Sequence, residues 1–428
     1  MSLLKTYILD VLGCKVNHYD SRQIVRLLQG HGLRLADSGE AADLVIVHTC
    51  GVTAAAVQKS RQSIHRLIRR NPGAVIFITG CAASEELLAV PGKIDARIAA
   101  GPGWIQLLAD ELHLFSLPNP SFRLPENADE LPAETFGERT RGFLKIQDGC
   151  DANCAYCIVP QLRKKPRDKD MDAALAEAEA IVRQGCKEIV VAGVHVGLYG
   201  RGKEYSLSDF LRKLTKIPAL ERIRMSSLHP AELTDELLNI WSGAKNMMPH
   251  LHLSLQSGSA GVLRRMGRSY SPEEFSGAVK RARAILDIPA ITTDVIIGFP
   301  GETAAEFEET FNFCCAAGFA DMHIFTFSPR PGTRAAGMPD AVPAQIAHER
   351  QQRLMELAGI MKENYHRKFI GRTVDVLVER AVNGECSGGS PHYIPVQFPG
   401  AENLYRTIVP VKILSATKQN LSGAIPDA

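Results

Sequence analysis

The chain has 428 residues, with 49 basic and 47 acidic side chains and a formal net charge of +2. At roughly 100–200 residues per domain, such a length suggests two to four domains. Hydrophobic content of 45% and charged content of 22% exclude disorder and collagen-like structure, and the small net charge excludes a histone-like nucleic-acid binder.

No apolar run reaches about 18 residues, so no membrane-spanning helix is expected. The start, Met1-Ser2-Leu3-Leu4-Lys5, lacks the apolar stretch and cleavage site of a signal peptide, which predicts a cytoplasmic protein. Ten cysteines in such a chain point to metal or redox chemistry rather than disulfides. Up to about residue 117, short apolar runs at 7–12, 44–47, 74–79 and 95–99 alternate with helical periods at 21–29, 54–70 and 104–112. This alternation predicts an α/β fold with an open parallel sheet. Three of the strands run into Cys14, Cys50 and Cys81. Open parallel sheets bind ligands beyond the carboxyl ends of their strands, so neighbouring strands would bring three thiols to one edge.

A polar, Pro-punctuated stretch at 118–135 predicts a linker. From 136 to 370, strands are expected at 143–147, 188–193, 222–226, 250–256, 291–299 and 322–327, with helices at 173–184, 208–217, 272–286 and 304–317. Six β–α repeats without a seventh and eighth predict a partial (β/α)6 barrel with its chemistry at the C-terminal strand ends. A long amphipathic helix over 345–369 leaves this region. The tail, 371–428, offers strands at 373–379, 393–398 and 407–415 between Gly- and Pro-rich turns, and predicts a small antiparallel β-barrel.

The strongest chemical signal is Cys150-Asp151-Ala152-Asn153-Cys154-Ala155-Tyr156-Cys157, a C-x3-C-x2-C run just after the first barrel strand. Thiolates are soft ligands suited to iron–sulfur clusters. A cubane has four irons, so three thiolates leave one iron open; a structural zinc would want a fourth ligand. Ligand-contact candidates recur at successive strand ends: Gly193 and His195, then Ser227, Gln256 and Asp294. Glycine permits close backbone approach, and Ser, Gln and Asp offer hydrogen bonds to a ribose or a carboxylate.

The run, with Tyr156 before its third cysteine, resembles the cluster loop of radical S-adenosylmethionine (SAM) enzymes. The resemblance implies that the open iron binds the amino and carboxylate groups of SAM and cleaves it reductively to a deoxyadenosyl radical. It also implies SAM contacts at Tyr156, Gly193, His195, Ser227, Gln256 and Asp294. Gly13-Cys14-Lys15-Val16-Asn17, Thr49-Cys50-Gly51 and Thr79-Gly80-Cys81-Ala82 resemble, as a set, the N-terminal domain of methylthiotransferases, which implies a second [4Fe-4S] cluster there. The tail is similar to the TRAM RNA-binding module. The resemblance thus spans a cluster domain (1–117), a radical SAM domain (136–370) and a TRAM-like domain (371–428).

Within that family, Gly13-Cys14-Lys15-Val16-Asn17, the stretch His250-Leu251-His252-Leu253-Ser254-Leu255-Gln256-Ser257-Gly258, and Arg330-Pro331-Gly332-Thr333 look most like the MtaB branch. That likeness implies sulfur insertion and methyl transfer at C2 of N6-threonylcarbamoyladenosine beside the tRNA anticodon, with tRNA and an electron donor protein as partners. The alternatives are the same chemistry on isopentenyl-adenosine or on a ribosomal-protein aspartate, and a non-catalytic iron–sulfur RNA-binding protein. His48, Ser84 and the segment 161–167 depart from the family pattern, which bears on substrate contacts rather than on the clusters.

The tail from Gly371 has five basic and five acidic residues, so RNA affinity must come from local basic segments elsewhere. Residues 59–70 carry five positive charges and no acid; 163–169 carry five against Asp168. Arg163, Lys164, Lys165 and Arg167 follow the cluster run directly and are the RNA-contact candidates. Cys186, Cys314 and Cys315 are expected in the core, and Cys386 in an exposed turn.

Overall fold

The computed structural model describes residues 4–83, 96–99, 103–115, 140–163 and 165–426. The linker expected at 118–135, Ser84 and Lys164 lie outside the described residues. Strands β1 (Thr6–Val11), β2 (Arg34–Leu35), β3 (Leu44–Thr49), β4 (Val75–Gly80) and β5 (Ala96–Ala99) form a parallel sheet in the order β2-β1-β3-β4-β5. Helices α1 (Lys15–Gly30), α2 (Ala54–Arg70) and α3 (Trp104–Phe115) connect or cover it. Thr53 caps α2 by accepting the Ala56 N–H at 3.1 Å.

Helix α1 begins six residues before the periodicity predicts. Its first turns bury Asn17, Asp20, Arg22 and Gln23 among Val16 and Tyr19, so polar side chains interrupt the apolar rhythm. This face is pressed against the second unit. Tyr19 sits in the apolar core of that unit, and its hydroxyl donates to Glu177 at 3.1 Å.

The second unit is an arc of two parallel ladders. One holds β6 (Arg141–Asp148), the short antiparallel β7 (Arg167–Asp168), β8 (Glu188–Gly193) and β9 (Arg222–Met225), in the order β7-β6-β8-β9. The other holds β10 (His250–His252), β11 (Ala290–Ile297) and β12 (Asp321–Thr326). Isolated bridges, Ile223 to Met247 and Leu228 to Leu253, join the two. The strand expected over 250–256 stops at His252. The Leu255 N–H donates to the Thr293 hydroxyl at 3.0 Å, which interrupts the ladder, and pairing returns only as a single bridge from Gln256, at φ +67°, to Val295.

Helices α4 (Val159–Arg163), α5 (Met171–Arg183), α6 (Leu207–Leu214), α7 (Asp235–Gly243), α8 (Ala260–Met266), α9 (Pro272–Ile285), α10 (Ala304–Ala317) and α11 (Ala344–Arg367) cover or leave the arc. Reciprocal capping boxes start α6, α9 and α10, pairing Ser206 with Asp209, Ser271 with Glu274 and Thr303 with Glu306. Helices α4, α7 and α8 are not anticipated from the sequence; α4 and α8 are too short to show a period.

The tail closes into a barrel of β13 (Thr373–Val382), β14 (Glu385–Gly389), β15 (Pro395–Pro399), β16 (Ile408–Ala416) and β17 (Leu421–Ala424), in the order β13-β14-β15-β17-β16. The expected all-antiparallel pairing is corrected at one seam, where β15 and β17 run parallel. Five strands are an odd number, so direction cannot alternate all the way round a closed ring. The barrel is docked on β9 rather than tethered. Arg222 donates to the carbonyls of Gly389 and Asp375, both at 2.8 Å, and Arg224 to those of Pro391 and Ser390 at 2.8 and 2.6 Å. Glu188, buried beside them, accepts from Arg224 Nε at 2.9 Å.

Among the described residues no helix is long and apolar enough to cross a membrane. Cys186 and Cys314 are buried as expected, whereas Cys315 is exposed on the outer face of α10. Cys386 is not in an exposed turn: it lies on β14 and packs into the barrel core.

Candidate functional site

Strands β1, β3 and β4 are neighbours in register, Val11 beside His48 and Thr49 beside Gly80. Their carboxyl ends therefore stand level, and Cys14, Cys50 and Cys81 follow them at one edge of the sheet. The approach is close. A Cβ on Gly13, which sits at φ +112°, would fall 2.8 Å from Cys50 Cβ and 2.9 Å from its Sγ. Asn17 fastens the turn by donating its amide to the carbonyls of Leu12 and Thr49 at 2.8 and 2.9 Å. Cys14 is exposed and Cys50 buried. Burial pushes the Cys81 thiol up to about 11, against the pull of Arg163. His48, which departs from the family pattern, is fully buried against Trp104 at 5.4 Å between ring centres. Burial holds it neutral, at about 4.

The second triad lies on the loop after β6. Gly149 takes φ +75°, where its hydrogen faces the Lys165 carbonyl and a side chain would collide. The loop is pinned by the Ala155 N–H to the Met266 carbonyl and by the Ala335 N–H to the Ala155 carbonyl, both at 2.8 Å. Cys150 Sγ lies 3.7 Å from His195 Nδ1, and the Arg268 guanidinium donates to Cys154 Sγ at 3.3 Å. His195 Nε2 meets Glu232 at 2.5 Å. Burial raises the Cys157 thiol to about 11. Each triad thus offers three soft donors, without a fourth thiol among the described residues, and each has an arginine aimed at one sulfur. Both fit a cluster bound through three thiolates.

A cavity of about 380 Å³ opens at the first triad, between the N-terminal sheet and the arc. Cys14, Lys15 and Cys81 line it from the sheet, and Gly193 at the end of β8, Ser227 just past β9 and Asp294 within β11 line it from the arc. Three of the six SAM-contact candidates therefore meet at one place. The other three do not line it. His195 stands against Cys150, and Gln256 is buried with its backbone tied to Asp294 and Ile296. Tyr156 packs against the small cluster of Met266, Phe299 and their neighbours.

Arg163, expected to face RNA, is turned inward. It donates to Asp148 at 3.0 Å, Asp20 at 3.0 Å, Asn17 at 2.9 Å and Cys81 Sγ at 3.3 Å. Lys145 completes the network with bonds to Asp20 at 2.5 Å and Asp148 at 3.2 Å. Burial works to raise the Asp20 carboxyl, but Lys145 and Arg163 hold it below the ordinary range. Lys165 and Arg167 are exposed. The residues not anticipated from sequence are Arg268, Glu232, Asp20 and His323. His323 shares Asp294 with His252, at 3.1 and 3.3 Å. None of the four follows a motif; each arrives from an element distant in the chain.

Residues 144–314 match the family model of the radical SAM superfamily, and residues 6–98 match that of uncharacterized protein family UPF0004. Threonylcarbamoyladenosine tRNA methylthiotransferase MtaB of Bacillus subtilis (strain 168) is 36% identical over 96% of this chain and 94% of its own. The chain belongs to the radical SAM methylthiotransferase family. It is a transferase of that family by the length and continuity of the match. The family also includes the tRNA-2-methylthio-N(6)-dimethylallyladenosine synthase of Syntrophotalea carbinolica, 34% identical over 98% of each chain. Among solved structures, the radical S-adenosylmethionine methyltransferase TsrM from Kitasatospora setae shares the fold, with a TM-score of 0.55 at 15% identity over 78% of this chain and 77% of its own.

Proposed function

We propose that this protein inserts sulfur and transfers a methyl group at C2 of N6-threonylcarbamoyladenosine beside the tRNA anticodon. One observation carries the reading: a single cavity is lined by Cys14 and Cys81 of the sheet and by Gly193, Ser227 and Asp294 of the arc. An aromatic C–H offers no acid or nucleophile chemistry at neutral pH, so its replacement needs a radical on one side and a sulfur source on the other. Cys150, Cys154 and Cys157 are assigned to one [4Fe-4S] cluster, and Cys14, Cys50 and Cys81 to a second. When bound, these groups supply the electron that cleaves SAM and the sulfur that is transferred.

The chain's own residues do the rest. Arg268 and Arg163 each direct an N–H at one cysteine sulfur and so offset the charge of a thiolate ligand. Gly193 leaves room for close approach of SAM, and Ser227 and Asp294 offer it hydrogen bonds. The assigned domains run over 1–117, 136–370 and 371–428. A tRNA substrate implies work in the cytoplasm, and reductive cleavage of SAM implies an electron donor protein. Nucleoside mass spectrometry of tRNA from a deletion strain tests the reading. The 2-methylthio derivative of threonylcarbamoyladenosine is expected to vanish and its unmodified parent to accumulate. Persistence of the methylthio nucleoside, with loss instead of the prenyl-substituted one, would overturn it.

A further inference from the structure

The reaction cavity shares Lys15, His252 and His323 with a second chamber of about 200 Å³. The chamber lies between β10–β12, the long helix α11 and the turn of the C-terminal barrel that carries His392. Two lysines, Lys15 and Lys362, and five histidines line it. One carboxylate lines it, Asp321, and that is engaged by Lys362 at 2.6 Å. Arg141 and Arg224 are near enough to repel Lys15, and Asp294 and the adjacent Cys14 are near enough to attract it. No carboxylate among the described residues pairs with Lys15 within 4.0 Å.

The position of Lys15 is also locally unfavourable. It is the first residue of α1, where the helix dipole disfavours a cation, and Cys14 before it makes no side-chain cap. Local rules are broken in this way where a side chain serves a ligand. A small chamber beside the reaction cavity, walled by an ammonium with no carboxylate partner, suits an anionic group carried on the reacting molecule.

We infer that Lys15 is a specificity-determining residue that receives the free carboxylate of the N6-threonylcarbamoyl group, with the chamber holding the remainder of that substituent. The inference rests on the proposed reaction at threonylcarbamoyladenosine. A threonylcarbamoyl group ends in a carboxylate, whereas a prenyl group of similar reach is apolar and uncharged. The carboxylate would pair with Lys15 in a charge-assisted hydrogen bond. A prenyl group would leave the ammonium desolvated and unpaired, so the same residue attracts one substrate and rejects the other.

The test measures binding of anticodon stem-loop RNA to the anaerobically reconstituted full chain by fluorescence anisotropy. The RNAs carry threonylcarbamoyladenosine, its methyl ester, or isopentenyl-adenosine. Wild type is expected to bind the free acid about tenfold more tightly than the ester, the increment of one charged hydrogen bond. Lys15→Met is expected to bind acid and ester alike, and Lys15→Arg to restore part of the preference. Iron and sulfide content, together with SAM affinity by equilibrium dialysis, should match wild type in both variants. An acid preference undiminished in Lys15→Met overturns the assignment of Lys15 and leaves the proposed reaction standing. A loss that falls on SAM rather than on the RNA overturns it too, because SAM carries a carboxylate of its own. Equal binding of acid and ester by wild type overturns it without recourse to any variant. A wild-type preference for the isopentenyl RNA overturns the proposed reaction and the inference together.

Discussion

The two cysteine triads perform comparable tasks by opposite constructions. Cys150, Cys154 and Cys157 share one loop, held by backbone bonds to Met266 and Ala335 and by the left-handed turn at Gly149. Cys14, Cys50 and Cys81 belong to three loops, and only the register of β1, β3 and β4 brings them together. The first is a local structure that carries its own ligands. The second exists only when the sheet is formed. A site made by spacing can be read from a chain; a site made by topology can be read only once the strand order is known.

The largest expected effect separates the triads by chemistry. Changing Cys150, Cys154 and Cys157 together to Ala should remove about four irons per chain and abolish deoxyadenosine formation from SAM, read by metal analysis and liquid chromatography. Changing Cys14, Cys50 and Cys81 should also remove about four irons, yet leave deoxyadenosine formation in place while the methylthio product disappears. If the second variant retained all its iron, the parallel between the triads would collapse.

Arg163→Met probes the junction of the two units. It leaves Asp20 with Lys145, and Asp148 with Lys145 and the more distant Arg167 at 4.0 Å, and breaking a buried pair of this kind costs about 3–5 kcal/mol. Urea unfolding should show that loss, and acid unfolding gives its sign. The folded-state value of Asp20 lies below the unfolded value of about 3.9, so the network stabilises above that pH and fails as pH falls through the depressed value. The variant should therefore begin to unfold at a higher pH than wild type. An unchanged acid transition would show that the network adds nothing to the seating of the sheet on the arc.

The smallest effect concerns α2, which lies between Cys50 and Cys81 in the chain. Lys59, Arg61, Arg69 and Arg70 are exposed along it, while Arg66 pairs with Asp10 at 3.1 Å. If these residues meet tRNA phosphates, changing the four to Gln should lower the slope of log affinity against log salt by roughly 0.7–0.9 for each phosphate that is no longer neutralised. An unchanged slope would mark the face as solvated only.

Much of this was legible in the sequence. Strand-to-cysteine junctions, six β–α repeats and the C-x3-C-x2-C run located both triads and the arc between them. The misses share a cause. Helix α1 begins earlier than expected because Asn17, Asp20 and Gln23, buried among Val16 and Tyr19, hide its apolar stripe. Arg163 reads as part of an exposed basic run because its three oxygen acceptors, on α1 and β6, are far away in the chain. His323 and Arg268 likewise reach the site from elements whose own sequences carry no motif. The parallel seam of the C-terminal barrel follows from the parity of five strands, two of which, β14 and β17, are too short and Gly-rich to foresee.

Arg163 has one more consequence. Its guanidinium touches a sulfur at the rim of the sheet, two side chains of α1 and a carboxylate of the arc. A change in charge at Cys81 is therefore felt where one unit is seated on the other. By thermodynamic reciprocity, whatever tightens that seating also favours the ligand state of Cys81 that Arg163 prefers. Loading of the cradle and docking of the sheet are, in this protein, linked functions of one equilibrium.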